Sequence, residues 1–153
     1  MSSRQRSKDS DEELGTDVAR RSLDPRALAM FAVEAALDNK GLEPVLLDLS
    51  RQGSYTDFLL LVSGRSDRHV QHVAEGILEA FATQLGRRPI GTEGKSDGRW
   101  VLLDYGDIVV HVFHHPMREF YDLEGLWCDA PRIALDIPDE ARAVAAPQHH
   151  DYY

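Results

Sequence analysis

Cysteine occurs once, at Cys128, so no internal disulfide can form and a reducing cytoplasm is the expected setting. No apolar run approaches the ~20 residues needed to cross a bilayer. The first residues carry acidic side chains and no apolar core, which argues against a secretory signal or an organellar transit peptide. No internal repeat is visible. No C-x-x-C or H-E-x-x-H spacing is present, so nothing in the pattern calls for a structural or catalytic zinc. Ser63-Gly64 precedes a helix start, as a phosphate-binding turn would, but no D-x-D pair follows to hold Mg²⁺. Cys128 has no basic neighbour in the sequence, and Asp129 beside it disfavours the thiolate; it reads as a half-buried thiol.

What is present fits one domain. The chain has 153 residues, 42% of them hydrophobic, and a net charge of −9. Residues 1–22 read as a disordered tail. Their basic side chains (Arg4, Arg6, Lys8, Arg20, Arg21) and acidic ones (Asp9, Asp11, Glu12, Glu13, Asp17) cancel. The negative excess therefore sits on the body and the C-terminal tail. An acidic body repels phosphate and suits a basic partner, so little direct nucleic-acid binding is expected.

Residues 23–128 read as the folded domain. Asp24-Pro25 is a helix start, with Leu28, Phe31, Ala32, Ala35 and Ala36 at helical spacing and Gly41 as the stop. Pro44–Leu49 is a short strand, and Ser50–Tyr55 a polar turn. Asp57–Val62 is a second strand, apolar enough to be buried on both faces. Ser66 caps a long helix to about Leu85, ended by Gly86. A short strand, Pro89–Thr92, follows, and then a hairpin. Its arms are Trp100–Leu103 and Ile108–Phe113, with Tyr105-Gly106 as the expected turn and Asp104 facing Asp107. Strand alternation puts Trp100, Leu102 and Asp104 on one face and Val101, Leu103 and Tyr105 on the other. A short helix opens at His115-Pro116. Residues 129–153 are expected to be largely irregular. The class is α/β of the α+β type, a small mixed sheet of about five strands with flanking helices.

Two blocks carry a family resemblance. One is W-V-L-L-D-Y-G-D-x-V-V-H-V-F followed by R-x-x-Y-x-L-E-x-L-W; the other is T-D-F-L-L-L-V-S-G-R-S-D-R-H-V from Thr56 to Val70. Together the stretch from about Pro25 to Trp127 resembles the ribosomal silencing factor, or iojap-like, family. The resemblance implies a nucleotidyltransferase-like fold and a translation repressor rather than an enzyme, with no metal and no cofactor. It implies binding to the large ribosomal subunit through large-subunit ribosomal protein fourteen, and a steric block on subunit joining under nutrient limitation. It also implies a homodimer. Carried over residue by residue, it puts partner-binding residues at Trp100, Asp104, Tyr105 and Asp107. Glu93 and Arg118 are secondary, and His69, in the first turn of the long helix, is the next place to look. Some relatives carry Leu at the position of Tyr105. Two readings from other classes stand beside it: a large-subunit assembly factor and a nucleotidyltransferase.

Overall fold

The computed structural model describes residues 23–142. The expected tails, 1–22 and the end of 129–153, lie outside these bounds. Helix α1 (Pro25–Asp38) starts where the sequence marks it: the Asp24 carboxylate accepts the Ala27 N–H at 2.7 Å and Pro25 takes the first turn. Helix α2 (Asp67–Ala80) is capped by the Ser66 hydroxyl, which accepts from the His69 N–H. It runs into a single π turn, Phe81–Leu85, and ends at Gly86 in the left-handed conformation.

Six strands form one sheet in the order β3-β4-β5-β2-β1-β6. They are β1 (Leu42–Asp48), β2 (Phe58–Gly64), β3 (Gly91–Glu93), β4 (Trp100–Asp104), β5 (Ile108–His114) and β6 (Arg132–Ile133). The parallel pair β2 and β5 lies at the centre; every other pairing is antiparallel. All seven residues of β2 are buried, as its unbroken apolar run requires. The sixth strand is an addition to the five expected. Two residues of the segment read as irregular pair with Leu46 and Leu47, and a 3₁₀ turn, Asp139–Arg142, follows.

The sheet separates two cores. On one face α1 and α2 close over Leu46, Leu60, Val62, Val101, Leu103, Val110 and Val112. On the other, Leu47, Leu59, Leu61, Val109 and Phe113 meet only two short helices, α3 (His115–Tyr121) and α4 (Leu123–Leu126), with Met117, Leu123 and Trp127 packed against them. This second face is the thinly covered one. Among the described residues no helix is long and apolar enough to cross a membrane.

Proline inside a strand removes a ladder donor, and Pro44 stands in β1. The register shifts between Leu42 and Val45, and Glu43 takes a left-handed φ of 50°. Its carbonyl accepts from the Arg118 guanidinium at 2.7 Å. Arg118 is itself buried. It also donates to the Ser63 hydroxyl at 2.9 Å and forms a 2.9 Å ion pair with Glu124, which Arg132 approaches from outside. One guanidinium thus ties α3 to β1, β2 and α4.

Candidate functional site

The hairpin turn is displaced by one residue from its expected place. Asp104 lies opposite Val109, not Asp107, and the Tyr105 N–H donates to the Ile108 carbonyl. The two-residue loop is therefore Gly106-Asp107. Its first position needs a positive φ, which Gly106 supplies at 88°. Asp104 locks the turn by accepting the Gly106 N–H at 2.8 Å. The buried Thr56 hydroxyl holds the Gly106 carbonyl, and the Asp57 and Phe58 N–H groups hold that of Asp107.

Tyr105 is the main correction. It was expected at the surface as an anchor, and it is 2% exposed. It continues the inward set Val101, Leu103, Tyr105 and stacks on Phe81, ring centroids 4.0 Å apart, against the π turn. Burial pushes its phenol above the ordinary tyrosine range. Among the described residues its hydroxyl has no hydrogen-bond partner. The exposed tyrosine near the hairpin tip is Tyr55, 65% exposed, from the turn between β1 and β2. Partial burial and, after it, the Asp104 carboxylate raise its pKa above 10. Ile90, 75% exposed, stands over Gly106. Nothing in the sequence pattern marked Tyr55, because side chains in a turn follow no period; Ile90, expected inside the strand Pro89–Thr92, stands just ahead of β3.

At the other end of β4 lies Trp100, half-buried. Its ring is 4.9 Å from Phe113 and 4.8 Å from Tyr121 of α3; Tyr121 in turn meets Phe120 edge-on at 5.0 Å. Tyr121 is 48% and Phe120 78% exposed. Helix α3 thus contributes an aromatic surface. Glu119 and Asp122, both exposed, flank it in the chain. On the face of Trp100, β4 offers Leu102 and then the Asp104 carboxylate, with Tyr55 close to Asp104 at the hairpin end.

The remaining expected residues are dispersed. Glu93 is exposed on β3, opposite Leu102. Arg118 is an interior clamp, not a surface contact: it is 6% exposed and donates to Glu43, Ser63 and Glu124. His69 accepts the Arg65 N–H, and burial lowers its pKa, opposed by backbone bonds to Lys40 and Asn39; it is engaged at the end of α1, not at the hairpin.

The groups weighed for chemistry are held in structural contacts. The Ser63 hydroxyl is buried under Arg118, and a Cβ at Gly64 would meet Val70 at 2.7 Å, so Ser63-Gly64 is the tightly packed end of β2. His111, His114 and His115 take different partners: Trp100, Asp67 with the Arg65 carbonyl, and Ser63 with Glu119. Cys128 is exposed rather than half-buried.

His111 is 5% exposed, and desolvation lowers its pKa to about 4. The unfolded chain, with an ordinary histidine near 6.5, takes up a proton that the folded one refuses between these values. This stabilising share is therefore full above pH 6.5 and is lost as pH falls toward 4. The loss is roughly 3 kcal/mol. Subtracting the urea-unfolding pH profile of His111→Leu from that of the parent isolates it; a flat difference would refute the burial assignment.

A small mixed sheet with two helices closing one face is a fold with solved members. A crystal structure of a protein from Chromobacterium violaceum superposes with a TM-score of 0.66 at 32% identity, covering 77% of this chain and 98% of that one. Residues 22–152 match the family model described as "Ribosomal silencing factor during starvation". The chain belongs to the ribosomal silencing factor family. It is 44% identical over 103 residues to the ribosomal silencing factor of Bacillus subtilis, covering 67% of this chain and 86% of that relative. To the same factor from Halalkalibacterium halodurans it is 40% identical over 109 residues, covering 71% and 92%.

Proposed function

We propose that this chain binds large-subunit ribosomal protein fourteen through the face that runs from Trp100 to the hairpin tip. The bound domain then stands where the small subunit must dock. The mechanism is occupancy: no bond is made or broken, and recognition rests on aromatic burial and charge.

One observation carries most weight. Trp100, Tyr121 and Phe120 form a connected ring cluster left open on the thinly covered side of the sheet. Folding does not account for a Phe that is 78% exposed on a short helix. Aromatic centres with polar rims are the pattern of protein interfaces, where a few large side chains supply most of the affinity. Asp104, Asp107, Glu119 and Asp122 give that rim a negative sign, which fits a basic ribosomal protein and disfavours bare RNA.

A binding titration against the isolated ribosomal protein tests this. Trp100→Ala should weaken binding by about 2 kcal/mol or more, as an interface anchor does. Tyr55→Ala, at an exposed turn, should shift stability by no more than about 0.5 kcal/mol, so any loss of binding there belongs to the contact. Asp107→Lys is a cleaner charge reversal than Asp104→Lys, because Asp104 also locks the turn. It should slow association most at low salt. Parent-like binding by all three variants refutes the interface. In cells, immature large subunits accumulating on deletion, with subunit joining unaffected, would point instead to an assembly role.

A further inference from the structure

We propose that His111 is a positioning residue: it holds the Trp100 indole in the orientation in which the partner meets it. The proposal rests on the binding face argued above and adds to it a residue from inside the sheet.

The Trp100 Nε1–H donates to His111 Nδ1 at 2.8 Å. An indole nitrogen can only donate, so this ring nitrogen of His111 must accept. The neutral imidazole then carries its proton on Nε2, and the tautomer is fixed by the contact. That Nε2–H is buried and finds no acceptor among the described residues. A buried unpaired donor is costly.

Folding does not explain that cost. The other interior positions of β5 are Ile108, Val109, Val110, Val112 and Phe113. A leucine at 111 would fill the second core without an orphaned donor. The histidine supplies a hydrogen-bond acceptor at one point, and the group it meets there is Trp100. The indole needs it. Trp100 opens β4 directly after a loop, 94–99, that is exposed except at Gly98, and its ring is tilted at 36° to Phe113 and 45° to Tyr121. Such tilted apolar contacts fill space without selecting one rotamer. The bond to His111 is the directional one, and it links a central, largely buried strand to a half-buried aromatic. An anchor already held in place does not lose that freedom on binding, which is worth about a three- to ten-fold gain in affinity per ordered side chain.

The test uses two substitutions of opposite character. His111→Leu keeps bulk and removes the acceptor. His111→Asn loses bulk but places its Oδ1 where Nδ1 was, so it keeps the acceptor. Three readouts are taken on the full chain: urea unfolding, the Trp100 indole N–H resonance (assigned against Trp127→Phe), and titration against the isolated ribosomal protein. The leucine variant should fold at least as stably as the asparagine one. Its indole resonance should nonetheless move upfield and exchange faster with solvent, and its affinity should drop about three- to ten-fold. The asparagine variant should recover the indole signature and most of the affinity. A merely structural role predicts the reverse order, with binding following stability. An unchanged indole resonance in His111→Leu overturns the proposal. So does a shifted resonance with parent affinity, provided that Trp100→Ala still weakens binding. If Trp100→Ala binds like the parent, the interface itself is wrong, and His111 loses its role in binding with it.

Discussion

Arg118→Ala is expected to destabilise the domain by about 3 kcal/mol or more, the cost of breaking a buried ion pair. The arginine is 6% exposed, and three groups depend on it. Its removal takes the guanidinium from the Glu43 carbonyl and from one oxygen of Glu124, and leaves the Ser63 hydroxyl with His115 alone. Arg132 still reaches the other oxygen of Glu124 from solvent, which keeps the penalty toward the lower end of the range. Arg118→Lys should rescue little, because a single ammonium cannot present a planar fork to three acceptors in different directions. Urea unfolding of the three proteins measures this. A loss under about 1 kcal/mol, the ordinary value for a surface pair, would mean that the clamp is not buried in solution. The same experiment bears on function: α3 carries Phe120 and Tyr121, so binding should weaken in Arg118→Ala even though Arg118 touches no partner.

Tyr105→Ala should be similarly damaging, about 3–5 kcal/mol, the usual cost of emptying an aromatic core position. Its ring stacks on Phe81, which meets Phe31 edge-on at 5.2 Å, so the cavity would open between the hairpin and both long helices. Tyr105→Phe should do the opposite. It deletes a buried hydroxyl without a partner and keeps the ring, and it should be neutral or stabilising by about 1 kcal/mol. Denaturant midpoints at unchanged slope decide both cases. If Tyr105→Ala costs no more than a surface change while binding collapses, the residue is an anchor after all.

The contrast between Tyr105 and Tyr55 shows what the sequence carried and what it did not. Alternation along β4 already put Tyr105 with Val101 and Leu103, on the face that α1 and α2 cover. The error was to release it from that alternation by placing it in the turn; Gly106 then fixed the loop one residue further on. Caps were legible because Asp24 and Ser66 act through local hydrogen bonds. The buried central strands were legible from unbroken apolar runs. The π turn was not, since its residues look helical, and neither was β6, two residues after a proline. Trp100 and Asp104 were singled out through the family blocks. The exposed rings of Tyr55 and Phe120 were not, because exposure depends on what the rest of the chain leaves uncovered. The Pro44 bulge was hidden for a similar reason: the proline was visible, but not the carbonyl it turned toward Arg118.

Both borders of the sheet are short. β3 is three residues long and β6 is two, with Arg132 standing on the latter. A chain that leaves aromatic rings uncovered invites self-adhesion, and the most damaging kind is endless strand-on-strand growth, which needs a long unpaired border to template it. Here either border offers only a few backbone groups before the strand runs out. Ordered fibrils nucleated at a native edge are therefore disfavoured even when the protein is concentrated. Short borders leave the side chains of the faces, rather than the strand edges, as the surface open to another copy.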